Sequence, residues 1–104
     1  MFKEVEKTQG LAKLFLMAES EGEMAGLIHD LFTTSEIARA HERAKIFACL
    51  KNGLSQRETK RKTNAAIATV THGAKFLHDS AMVVGKIIAQ AQKMIWWQKL
   101  FWRA

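Results

Sequence analysis

From residue 3 to residue 19, Val5, Leu11, Leu14, Phe15 and Ala18 recur at near-helical spacing among polar neighbours, which predicts a first helix. Ser20 to Gly22 breaks the pattern, and Glu23 to Leu31 reads as a second helix. Thr33-Thr34-Ser35-Glu36 fits a capping box, in which a hydroxyl and a glutamate three residues on satisfy the free amides at a helix start. A third helix is therefore predicted over 34–51, burying Ile37, Ala40, Ala44, Phe47 and Leu50, and Asn52-Gly53 supplies the left-handed turn that ends it. A second capping box, Ser55-Gln56-Arg57-Glu58, opens a helix that must be short, because Thr63-Asn64 interrupts it and Asn tolerates the left-handed conformation. From Ala65 the helical period resumes. Ile67, Val70, Ala74 and Leu77 fall on one side, and Ala68, Thr69, Thr71, His72 and Lys75 mostly on the other. Asp79-Ser80 is read as the cap of one long last helix over 80–102. The pattern predicts an all-α chain of five to six helices, one domain over 1–104 with a helix-turn-helix at 55–77 near its centre. Residues 1–31 are expected to serve packing or dimerisation.

Composition agrees with this reading. The chain has 104 residues, no Pro and six Gly, and 48% of its residues are apolar, which favours helices joined by short turns and argues against disorder. So short a chain buries a modest fraction of its surface, which leaves room for help from a partner subunit. The start, Met-Phe-Lys-Glu-Val-Glu, is acidic where a secretory signal needs an apolar run. The most apolar stretch, Ala81 to Trp97, is interrupted by Lys86 and Lys93 and is too short to span a bilayer. One cysteine, Cys49, forms no internal disulfide and makes no metal cluster, so a reducing cytoplasm is expected.

Charge sharpens the picture through its distribution. The net charge is +6, yet residues 43 to 78 hold eight Lys or Arg against the single acid Glu58, while the rest holds eight bases against nine acids. An excess confined to one third of the chain points to a polyanionic partner. The helix-turn-helix lies inside that third. Its second helix carries small residues near its start, Ala66, Ala68, Thr69 and Thr71, as entry into a major groove about 12 Å wide requires. Thr methyls and Ala suit thymine methyls, and hydroxyls suit base edges or phosphates. The preceding helix offers Gln56, Arg57, Lys60 and Arg61. Arg57 is the candidate for a bidentate guanine contact, and Lys60 and Arg61 suit phosphates, which fix register without reading sequence. Double-stranded DNA is the expected partner.

Leu54-Ser55-Gln56-Arg57-Glu58 followed by Ile67-Ala68-Thr69-Val70-Thr71-His72-Gly73 closely resembles the helix-turn-helix of the tryptophan repressor family, and Leu31-Phe32-Thr33-Thr34-Ser35-Glu36 resembles a family motif upstream of it. The resemblance covers Leu31 to Leu77. It implies an intertwined helical homodimer that represses transcription by placing two readers in successive major grooves of a palindromic operator. It also implies DNA contacts at Gln56, Arg57, Lys60, Ile67, Ala68, Thr69 and Thr71, with Lys45 and Lys51 near phosphate. For the family's corepressor, L-tryptophan, Thr33 and Arg43 match a loop Thr and the first of two sandwiching Arg residues, while His72 replaces the second, beside Gly73. An imidazole can stack on an indole but lacks the permanent charge of a guanidinium. The Ser-Asn that follows that glycine in the family is Ala74-Lys75 here. Arg43 stands twelve residues before Ser55, one fewer than in the well-known tryptophan repressors, a spacing that resembles a shorter-spaced branch of the family.

Other chemistries find little support. His41-Glu42 lacks the second His of a zinc protease motif, since Lys45 stands there, and His72 and His78 lie on different faces of a helix. No Ser-His-Asp set, paired carboxylates or Gly-rich phosphate loop can be assembled, so an enzyme is not expected. The tail from Ile95 to Arg103 sets four large aromatics beside two cations. Burial against the first helices of the same or a partner subunit is the expectation. The rival is a protein- or membrane-interaction module that keeps the fold without specific DNA reading.

Overall fold

The computed structural model describes residues 3–79 and 82–100. They form helices α1 (Glu4–Leu16), α2 (Glu21–Leu31), α3 (Thr34–Lys51), α4 (Gln56–Thr63), α5 (Ile67–Asp79), α6 (Met82–Ala91) and α7 (Ile95–Leu100), with no strand among the described residues. The class is all-α. The chain divides into two compact units, Met1–Ala38 and Arg39–Ala104, with the boundary inside α3.

In the first unit, α1 carries Glu4 and Glu6 in its first turn and Lys13 in its last, complementing the helix dipole at both ends. α2 begins two residues before the expected Glu23, because Ser20 caps it: the Glu23 amide donates to Ser20 Oγ at 3.1 Å, and the Glu19 amide donates to Glu23 Oε1 at 2.8 Å. Phe15 and Phe32 stack with ring centroids 6.2 Å apart. Neither α1 nor α2 contains a buried residue, and Leu16 and Met17 are 84% and 74% exposed.

The second unit holds the core. Ile46, Phe47, Ala48 and Cys49 are all buried, a run of four that no single helical stripe produces. Two clusters wrap α3 at this point. Ile46 packs with Ala65 and Val70, flanked by Leu50. Phe47 and Ala48 pack with Ile88 and Trp97, flanked by Leu77, Val84 and Ala91. The stripe expected from periodicity is correct only at Phe47: Ile37, Ala44 and Leu50 are half-buried and Ala40 is exposed.

The single helix expected over 80–102 is also corrected. Asp79 is the last residue of α5, Ser80 lies outside the described residues, and the chain turns at Gln92 to Met94 between α6 and α7. Amides there bond three residues back, Lys93 to the Gln90 carbonyl at 3.2 Å and Met94 to that of Ala91 at 2.9 Å, which tightens the helix end. After this turn Trp97, 4% exposed, joins Phe47, Ala48 and Ile88 within the second unit. Trp96 meets it edge-on at 5.9 Å and stays half exposed. The expectation for Phe101 and Trp102 falls on residues outside those described.

Candidate nucleic-acid interface

α4 contains no apolar side chain (Gln56-Arg57-Glu58-Thr59-Lys60-Arg61-Lys62-Thr63), so its shape depends on its ends. At the start the capping box forms in full: the Glu58 amide donates to Ser55 Oγ at 3.1 Å, and the Ser55 amide donates to Glu58 Oε1 at 2.9 Å. That amide, the Ser55 hydroxyl and the charge of Arg61 hold the Glu58 carboxyl below its ordinary value. At the other end Asn64 takes the left-handed conformation (φ 60°, ψ 22°) and its amide donates to the Lys60 carbonyl at 2.8 Å. Thr63 Oγ1 donates to the Thr59 carbonyl at 2.8 Å and accepts from the Ala65 amide at 3.3 Å, stitching the turn. Thr59 is the one buried residue of α4, fully enclosed, and its hydroxyl finds no partner.

Across this turn α5 is seated by Val70, which is fully buried, and by Gly73. A Cβ on Gly73 would lie 3.1 Å from Ile46 Cγ2, so glycine is what lets α5 approach α3 this closely. With Val70 inward, Ala68, Thr69, Thr71, His72 and Lys75 are exposed, as the period predicts. Ile67 departs from it. Assigned to the inner side by periodicity but to the DNA-facing set by resemblance, it is 46% exposed and joins the outward residues.

Gln56, Arg57, Lys60 and Arg61 are likewise exposed on α4. The two helices are tied by a direct bond between expected contact residues, Thr71 Oγ1 donating to Gln56 Oε1 at 2.7 Å. Lys45 and Lys51 sit differently. Lys45 is half-buried, and its charge acts with that of Lys62 on Cys49, whose thiol burial nevertheless pushes up. Lys51 has its ammonium beside Gly85 of α6.

The helices α3 and α5 line a cleft of about 430 Å³. Arg43, Ile46 and Phe47 come from α3, and Ala68, Thr69, His72, Gly73 and Phe76 from α5. Of the four ligand candidates the cleft gathers Arg43, His72 and Gly73. Thr33 belongs to the first unit, where its hydroxyl accepts from the Glu36 amide at 3.1 Å and its amide donates to Glu36 Oε1 at 2.8 Å. Phe76 went unnoticed in the sequence, although it follows His72 by one helical turn on the same face. It meets Phe47 at 5.8 Å, giving the cleft an aromatic wall. The cleft also holds two residues of the outward set, Ala68 and Thr69, so one stretch of α5 serves both surfaces. Among the described residues no three His, Cys, Asp or Glu are grouped to hold a metal, and no helix is long and apolar enough to cross a membrane.

A family model described as Trp repressor protein matches residues 6–92, which takes in most of α1 and all of α2 to α6. No curated protein and no solved structure matches the chain.

Proposed function

Because the chain belongs to the Trp repressor family, a family of DNA-binding regulators, we propose that it is a transcriptional repressor that reads a palindromic operator as a homodimer. The observation that carries the proposal is the face made by α4 and α5. Ala68, Thr69 and Thr71 stand exposed on a helix seated by Val70, beside the exposed cations Arg57, Lys60 and Arg61. Small side chains permit entry into the major groove, Arg57 has the fork to read guanine, and Lys60 and Arg61 meet phosphates.

The homodimer is supported by the first unit, whose helices contain no fully buried residue and which exposes Val5, Leu11, Leu14, Leu16 and Met17. Apolar side chains displayed in that number are the material of a subunit interface. Two linked readers would demand half-sites about one helical turn apart, or a multiple of it.

The cleft between α3 and α5 is the proposed corepressor site. Its volume falls in the usual range for small-molecule pockets, Phe47 and Phe76 suit an aromatic ring, and Arg43 supplies the cation for a carboxylate. L-tryptophan is the ligand to try first.

The test is selection from random duplexes at moderate salt, with and without L-tryptophan. A palindrome enriched only with tryptophan supports both the repressor and its corepressor. A palindrome enriched regardless keeps the regulator and removes the ligand. No enrichment in either arm overturns DNA reading and leaves a basic helical interaction module.

A further inference from the structure

The bond between Thr71 and Gln56 spans fifteen positions of sequence and crosses from one helix of the helix-turn-helix to the other. A threonine hydroxyl has one proton, and here it is given to Gln56 Oε1 at 2.7 Å. The acceptor end of the amide is thereby held, and the Nε2 group, with two protons, forms its free edge. Gln56 is fixed at its other end as well, being the first residue of α4, between the two members of the Ser55–Glu58 capping box. A free glutamine on a surface samples many rotamers and can turn its amide end for end, freedom it must give up on binding. Held at both ends, this one has little left to lose.

Both residues are exposed on the proposed reading face. The geometry points to Thr71 as a positioning residue that orients Gln56 to donate its amide protons to the acceptor edge of a purine in the major groove. The inference rests on the DNA-reading proposal and goes beyond it by dividing the labour between two residues. Gln56 makes the base contact, and Thr71 acts through Gln56. Every base pair presents a distinct set of donors and acceptors in the major groove, and the purine N7 is an acceptor in both A and G. An amide kept with its N–H groups outward favours that edge over the donor presented by cytosine.

The test begins with the motif the intact chain selects from random duplexes, followed by affinities for it with Thr71→Val, Thr71→Ser, Gln56→Ala and the Thr71→Val/Gln56→Ala pair. Thr71→Val is expected to lose preference at one position per half-site, by about tenfold, and Gln56→Ala to lose it at the same position. The double variant should be no worse than either single one, and Thr71→Ser, which keeps the hydroxyl, should match the wild type. Replacing the purine there by its 7-deaza analogue should weaken the wild type and leave Gln56→Ala unchanged. Both side chains are exposed, and circular dichroism melts of each variant serve as the control for folding. The inference is overturned if Thr71→Val keeps the preference that Gln56→Ala loses, if the two effects add, or if Gln56→Ala weakens every sequence alike, as a phosphate contact would. A wild type that selects no motif overturns the DNA-reading proposal itself, an outcome distinct from these.

Discussion

Glycine in a helix interior costs about 1 kcal/mol relative to alanine, so Gly73, in the middle of α5, calls for a compensating reason. The reason is steric. A methyl at Gly73 would sit 3.1 Å from Ile46 Cγ2 and 3.9 Å from Phe47 Cε1, when carbons attract best at about 3.5–4.0 Å. Ile46 is 2% exposed and packed with Ala65 and Val70, and its branched side chain is stiff at χ1, so the methyl has nowhere cheap to go. Overpacking of this kind costs about 1–3 kcal/mol. Set against the propensity gain of about 1 kcal/mol, Gly73→Ala is expected to destabilise by about 1 kcal/mol, or roughly 4–8 °C in Tm for a domain of this size. Urea melts at fixed protein concentration measure it, since association makes apparent stability depend on concentration. Ile46→Leu removes the offending Cγ2 at nearly constant volume, so the double variant should be more stable than the sum of the singles predicts. Gly73→Ala at or above wild-type stability, or strict additivity with Ile46→Leu, refutes the close-approach argument.

Thr59→Val keeps the shape of a fully buried side chain and removes a hydroxyl without a partner. It should stabilise by about 1 kcal/mol in the same melts and leave DNA affinity unchanged. Glu58 has its carboxyl pKa held down by the cap, so its contribution is complete above the unfolded value, about 4.3, and is lost as pH falls through the lower folded one. Amide exchange should show α4 loosening in that acidic window, and Glu58→Gln, which preserves the box, should abolish the dependence. Arg57→Ala should relax preference at one base position by about 1–3 kcal/mol, whereas Lys60→Ala should weaken all sequences alike and lower the salt slope by about one. Cys49, fully buried with its thiol pKa pushed up by burial, should resist alkylation in the folded chain and react once urea unfolds it.

The helix-turn-helix was legible because its determinants are local. Ser55 and Glu58 lie three residues apart, and Asn64 adopts its left-handed turn within a single residue. The Ser20–Glu23 cap used the same grammar and went unread, since Ser20 to Gly22 looks like a plain break between helices. The core of α3 was harder to see. Periodicity finds one stripe, but two clusters close on this helix from different sides, so Ile46 and Ala48 are both buried without lying on a common face. The turn after Ala91 carries no glycine or proline, and Ala, Gln, Lys and Met all favour helix, so nothing local marks it. Burial of Trp97 against Phe47, fifty positions earlier, accompanies that turn, and so distant a packing partner leaves no local signal. Thr33 shows the limit for sites: its role in capping α3 is written in four successive residues, whereas a ligand role depends on distant ones.

The shared stretch of α5 gives the proposed corepressor a direct route to DNA affinity. Ala68 and Thr69 line the cleft with Arg43 and His72 and are also exposed on the proposed reading face, so a molecule in the cleft would act on that face without a chain of intermediates. It would change DNA affinity only by the difference between its own affinities for the DNA-bound and free protein. Linkage makes the effect reciprocal: operator DNA must tighten the ligand by the same factor by which the ligand tightens DNA. A titration of L-tryptophan with and without the selected operator therefore has to reproduce the ratio found in the DNA measurements. Arg43→Ala should reduce the two ratios together. If it lowers ligand affinity equally in both states and leaves the ratio intact, Arg43 holds the ligand but plays no part in the coupling.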